Sequence, residues 1–185
     1  QTCALPIFDR GPMLVRLVPL LLCLALGGAQ EASAPVVRVT SGEARLSSGT
    51  ETRALDARAG AVLLGAAALV ESRPRSQLEL TWRGSASVTF DGPAVFELAP
   101  GTGLVLQRFQ TVEVEVRRGH LVLEFVGLGQ LELAGGALQA RALPNSLVEL
   151  VNRGGTPFEL RRPGAKPLAI APGARLRLQA GATDS

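Results

Sequence analysis

The chain has one histidine, one methionine, one tryptophan and one lysine, no tyrosine, and only two cysteines among its 185 residues. A lone histidine cannot form a multi-histidine metal centre of the cupin kind, and two cysteines cannot cage a metal. Aromatic residues amount to 4%. That leaves no basic stripe interleaved with stacking partners, the arrangement that grips single-stranded nucleic acid. Glycine and proline are the opposite case. The 21 Gly and 12 Pro punctuate the chain too often for a helical bundle. A hydrophobic content of 46% is too high for a disordered tail.

Charge is modest. Of 19 cationic residues all but Lys166 are arginine, against 16 acidic ones. Without residues 1–29, which carry Arg10, Arg16 and Asp9, the balance is +2. The pairs Arg117-Arg118 and Arg161-Arg162, and Arg73 and Arg75 around Pro74, lie beside turn signals and read as solvated strand ends. No nucleic-acid partner is expected.

The N-terminus reads as separate from the fold. Gln1–Ile7 (QTCALPI) resembles a translated sequencing adapter, and residues 1–12 are set aside. Met13–Arg16 is a short basic start, Leu17–Leu26 (LVPLLLCLAL) an apolar core, and Gly27-Gly28-Ala29 a small-residue end. This is the layout of a secretory signal peptide at 13–29, cleaved after Ala29. Its apolar run is too short to cross hydrocarbon, which takes roughly 20 residues, so no transmembrane helix is expected in the mature chain. Cys3 and Cys23 both fall before that cleavage point. The mature protein is then cysteine-free, with neither disulfide nor thiol chemistry.

From Val36 the dominant signal is alternation with period two. Leu78, Leu80 and Trp82 alternate with Gln77, Glu79, Thr81 and Arg83. Val112, Val114 and Val116 alternate with Glu113 and Glu115. Leu121, Leu123 and Phe125, then Leu131 and Leu133, then Leu176 and Leu178, repeat the pattern. Turn dipeptides such as Ser41-Gly42, Arg83-Gly84, Asp91-Gly92, Arg118-Gly119 and Pro172-Gly173 separate the runs. Ala57–Glu71 is alanine-rich, but Gly60 and Gly65 disfavour a helix, and two short strands around Gly65 are expected. The expected fold is all-β: a single domain of many short strands over residues 36–180, built as a sandwich, a roll or a short solenoid. Residues 181–185 form a flexible end.

Few residues carry a chemical hypothesis. His120 sits at an expected hairpin tip, with no nucleophile and carboxylate ordered around it. If Arg118-Gly119 is a two-residue hairpin loop, Glu113 faces Glu124, with Glu115 about 6–7 Å along the same face. Such carboxylates need arginine, water or a hard cation such as calcium. Asp91-Gly92 reads as a turn device and Trp82 as core rather than a sugar platform. No catalytic, cofactor-binding or metal-binding residue is assigned.

The mature chain also resembles the FecR-like domain family, the periplasmic regulatory domains of iron-citrate-type signalling. The resemblance lies in Val36–Leu46 (VVRVTSGEARL), Ala61–Gly65 (AVLLG), Leu69–Leu98, Val112–Phe125 (VEVEVRRGHLVLEF) and Pro167–Leu178 (PLAIAPGARLRL). It is a pattern of strands and glycines without a catalytic signature. The family's Gly-Thr and aromatic strand persist loosely as Gly155, Thr156 and Phe158. The resemblance implies an exported, periplasmic or extracellular β-rich binding domain. It implies no enzyme activity and no cofactor, and an envelope or membrane protein as partner. The alternative is a self-associating structural envelope protein, a homo-oligomer.

Overall fold

The computed structural model describes residues 34–100 and 103–180. The segment 1–12, the expected signal peptide 13–29 and the expected flexible end 181–185 lie outside the described residues. The described part falls within one compact unit, Glu31–Ser185. It is all-β, with no helix among the described residues.

Its strands are, in chain order, β1 (Val36–Ser41), β2 (Glu43–Ser48), β3 (Glu51–Asp56), β4 (Ala61–Leu63), β5 (Leu69–Ser72), β6 (Gln77–Trp82), β7 (Ala86–Asp91), β8 (Ala94–Ala99), β9 (Gly103–Arg108), β10 (Thr111–Val116), β11 (Leu121–Phe125), β12 (Gly129–Leu133), β13 (Gly136–Leu143), β14 (Leu147–Asn152), β15 (Phe158–Arg161), β16 (Leu168–Ile170) and β17 (Arg175–Gln179). The first sheet runs β17-β14-β13-β10-β7-β6-β1-β4, and the second runs β16-β15-β12-β11-β9-β8-β5-β2-β3. Ala57–Glu71 carries β4 and β5 on either side of Gly65, as the glycine spacing predicts.

The alternation in the sequence is what makes this a two-sheet stack. Each strand turns one set of side chains inward, and both inner faces feed one apolar core. The first sheet contributes Leu78, Leu80, Val88, Phe90, Val112, Val114, Leu138 and Leu150 to it, and the second Val70, Phe96, Leu104, Leu106, Leu121, Leu123, Leu131 and Leu160. Phe90 on β7 stacks on Phe96 of β8, with ring centroids 4.3 Å apart, across the gap between the sheets. Trp82 is core, at 3% exposure.

Growth is progressive. After the first hairpins, each new strand joins the advancing edge of one sheet or the other, so sheet order nearly follows chain order. Pairing is antiparallel except between β9 and β11. Parallel neighbours need a crossover, and β10, lying in the opposite sheet, is that crossover. The fold is a sandwich laid down in the manner of a solenoid.

Crossing between sheets interrupts the ladder and strands backbone groups at each corner, which must find partners elsewhere. Small polar side chains supply them. Ser76 Oγ donates to the Glu43 carbonyl (2.8 Å) and accepts from the Glu43 amide (3.0 Å), locking the β1–β2 corner. Ser72 Oγ donates to the Gly92 carbonyl (2.9 Å) and accepts from the Ala94 amide (2.8 Å), locking the β7–β8 corner. The Gly92 amide donates to the Ser76 carbonyl (2.9 Å) and joins these corners to each other. Gly42 and Gly92 have φ of +74° and +86°, and a Cβ at either would collide with the neighbouring corner, at Ser76 and Gln110 respectively.

Candidate functional site

The structure separates the carboxylates that the sequence brought together. Both hydrogen-bonding edges of β10 are occupied, by β7 and β13. No place beside it remains for β11, so Arg117–His120 carries the chain across to the second sheet. The expected hairpin is therefore a sheet-crossing corner, and Glu113 does not face Glu124. Glu113 lies between Thr89 and Gln139, and its Oε1 accepts from Gln139 Nε2 (2.9 Å). Glu115 is held by Arg117, with Nε–Oε1 at 3.0 Å and Nη2–Oε2 at 3.2 Å. That pairing draws the Glu115 carboxyl below its ordinary range, first through the hydrogen bond and then through the arginine's charge. Glu124 is on the second sheet, between Val105 and Gln130. Among the described residues no group of acidic, histidine or cysteine side chains is placed to hold a metal.

His120 is exposed at the corner, and Asp91 is exposed where β7 ends. Asp91-Gly92 is a turn device as expected, though the turn crosses between sheets. Arg73 pairs with Glu43 at 3.0 Å.

The one buried carboxylate among the described residues was not among the sequence candidates. Glu149 lies on the outer face of the first sheet, directly between Arg141 of β13 and Arg177 of β17. Its side chain is only 9% exposed. Arg177 Nε approaches its Oε2 at 2.8 Å and Arg175 Nη1 approaches the same oxygen at 3.5 Å. The carboxyl is held below the usual carboxylate range. The Arg177 hydrogen bond is the largest cause, desolvation opposes it, and the charges of Arg175, Arg177 and Arg141 add to it. One strand row away, Arg153 donates to Gln139 Oε1 through Nη2 (2.6 Å) and Nε (3.3 Å). This end of the first sheet thus gathers Arg141, Arg175 and Arg177 around Glu149, while Arg153 is engaged by Gln139. Each guanidinium has five N–H donors in a planar fork. Arg175 and Arg177, about 60% exposed, turn much of that capacity to solvent.

The far end of the stack differs. A groove of about 480 Å³ there is lined by Leu46, Leu63 and Ala68, with Ser48, Thr52 and Arg53 at its polar side. Leu63 is 66% exposed.

The signal for Glu149 was present in the sequence as two alternating runs, SLVELV and RLRLQ. Their pairing spans 28 residues, and periodicity carries no information on which strands become neighbours.

Compared with family models, curated proteins and solved structures, the chain matches none.

Proposed function

We propose that the chain is an exported, non-enzymatic binding domain of the bacterial cell envelope, FecR-like in type, that engages a membrane or envelope protein within a signalling or regulatory assembly. The signal-peptide layout at 13–29 and the strand-and-glycine pattern over 36–180 support export and type. One observation carries the binding reading. Among the described residues the buried polar side chains are Ser72, Ser76, Glu149 and Asn152. The first two lock sheet corners, as does Asn152. The remaining one organises the arginines on the outer face. Polar chemistry is directed to scaffold and surface, as an interaction module requires.

The test is affinity capture. The secreted chain is immobilised and exposed to envelope extract from the source cell, and bound proteins are identified by mass spectrometry. The reading expects one envelope or membrane protein in stoichiometric amount, displaced by free chain. Recovery of the chain alone would refute it.

A second reading, a self-associating structural protein, is favoured by one feature. Among the described residues both sheets end in open strands, β16 and β17 at one end and β3 and β4 at the other. Open edges invite pairing, whereas arginines on β17 oppose pairing with a like-charged edge. Sedimentation at rising concentration decides between them: a monomer throughout removes the self-associating reading.

A further inference from the structure

We propose that the free edge of β17 is a docking rail for an extended partner segment in which acidic residues alternate with aliphatic ones. The proposal deepens the binding reading and rests on it.

The backbone comes first. Register between β14 and β17 is unbroken from Leu147↔Gln179 to Val151↔Arg175. The Ala180 amide donates to Ser146 (2.9 Å), and the Ala174 carbonyl accepts from Asn152 (3.0 Å). In an antiparallel pair, residues alternate between bonding toward the partner and away from it. The even-numbered residues of this segment therefore bond to β14. Arg175, Arg177 and Gln179 turn their N–H and C=O groups to the open side. Among the described residues no strand pairs there.

The side chains then specify what fits. Arg175 and Arg177, the residues whose backbone faces outward, also stand on the outer face, two positions apart. An added antiparallel strand sets its own alternate side chains directly opposite them. Carboxylates at those positions meet guanidiniums already held in place by Glu149. The intervening residues of the added strand point to the inner face beside Leu176 and Leu178, which are partly buried against the core. Aliphatic side chains fit there and extend that core. The surplus of arginine over Glu149 at this end sets the sign: an acidic segment is attracted, and a basic one repelled.

The experiment uses the full chain, isotope-labelled, and a synthetic peptide of alternating valine and glutamate. A valine–lysine peptide is the control. The expected result is saturable binding of the glutamate peptide, weakening with salt. Amide exchange at Arg175, Arg177 and Gln179 slows about tenfold or more in the complex. Two variants check the mode. Arg177→Glu weakens binding at least about tenfold, a shift equivalent to about 1.4 kcal/mol. Arg177→Pro removes an outward N–H and the side-chain bond to Glu149 but no backbone bond to β14, so it is compatible with an edge strand and also abolishes binding. Should the charge reversal beside Glu149 prevent folding, Arg175→Gln gives the same readout with a smaller loss. Undiminished binding to Arg177→Pro, or protection appearing at β3, β4 or β16 instead, overturns the proposal. So does chain that ignores the peptide yet binds vesicles of anionic lipid through Arg175 and Arg177. An envelope protein captured by a chain indifferent to the peptide overturns this docking mode while the binding reading stands. Peptide docking at β17 with nothing captured from the envelope supports the rail and refutes the wider reading.

Discussion

Asn152 is the residue on which the C-terminal corners depend, and truncating it tests the corner argument most directly. It is fully buried. Its Nδ2 donates to the Thr156 carbonyl (2.8 Å) and the Ile170 carbonyl (2.9 Å), and its Oδ1 accepts from the Gly154 amide (2.9 Å). Those partners belong to the β14–β15 connection and to β16, so one side chain ties two successive passes of the chain together. Asn152→Ala takes this partner away from two carbonyls and one amide. Each such group costs about 1–3 kcal/mol when it stays dry. Thr156 is exposed and Gly154 half-exposed, so water reaches part of the site and the sum falls short of the maximum. The expected loss is about 3–4 kcal/mol, a large share of the roughly 5–15 kcal/mol that a domain has in total. Urea unfolding followed by the fluorescence of the single, buried Trp82 measures it. Asn152→Asp sharpens the test. It keeps the acceptor for Gly154 but sets a carboxylate against two carbonyl oxygens, which raises its folded pKa. Its deficit is therefore greatest at neutral pH and shrinks in acid, where the protonated group donates one bond. A loss below about 1 kcal/mol for the alanine variant, with an unchanged urea slope, would contradict the idea that buried polar groups hold the corners.

Trp82→Ala should cost roughly 3–5 kcal/mol by the same assay with near-ultraviolet circular dichroism as the probe, since the indole is core; a neutral result would return it to the surface. Gly119→Ala, at φ +74° with open space around its Cβ, should cost about 1–2 kcal/mol from backbone strain alone. Gly92→Ala should cost more, because its Cβ meets Gln110, and Gln110→Ala should recover part of the difference, since the Cβ at 3.0 Å remains; equal losses at the two glycines would remove the corner-packing argument. Glu149 has a lowered folded pKa, so its contribution is present above the unfolded value of about 4.3 and is lost as pH falls through the folded value. Unfolding curves of the parent and Glu149→Gln should accordingly diverge at neutral pH and converge in acid, and a gap that widens in acid would reverse the sign assigned here.

Individual strands were legible because the code for them is local. Alternation marks which side chains are turned to a core, and the runs at Gln77–Arg83, Thr111–Arg117 and Leu121–Phe125 correspond to β6, β10 and β11. Sheet membership was not legible, and two Arg-Gly dipeptides show why. Gly84 has φ +73° and Gly119 has φ +74°. Arg83-Gly84 returns the chain beside itself as the β6–β7 hairpin, whereas Arg118-Gly119 sends it to the facing sheet. Turn chemistry is the same in both. What differs is whether the strand before the turn keeps a vacant edge, and that depends on β13, which follows later in the chain and takes the far side of β10. The misplaced Glu113–Glu124 pair came from this. Glu149 escaped notice for the complementary reason, that its partners arrive on a strand many residues downstream.

The same dependence explains where recognition chemistry can reside. A chain that shuttles between two sheets strands backbone amides and carbonyls at every crossing, and Ser72, Ser76 and Asn152 are buried to satisfy them. Each has its hydrogen-bonding groups engaged by corner backbone, so replacing any of them for a ligand's sake would open a corner. The inner faces are equally committed, since their side chains fill the gap between the sheets. Variation without structural penalty is left to the outward positions of each strand and to the terminal strands, which among the described residues have a neighbour on one side only. Among the described residues, β17 alone of these couples outward-facing arginines on its own backbone to a buried carboxylate that orients them. Arginines so held lose less side-chain freedom on meeting a partner than free ones do, which is the physical reason to look for binding at that edge before the more neutral ends at β3 and β4.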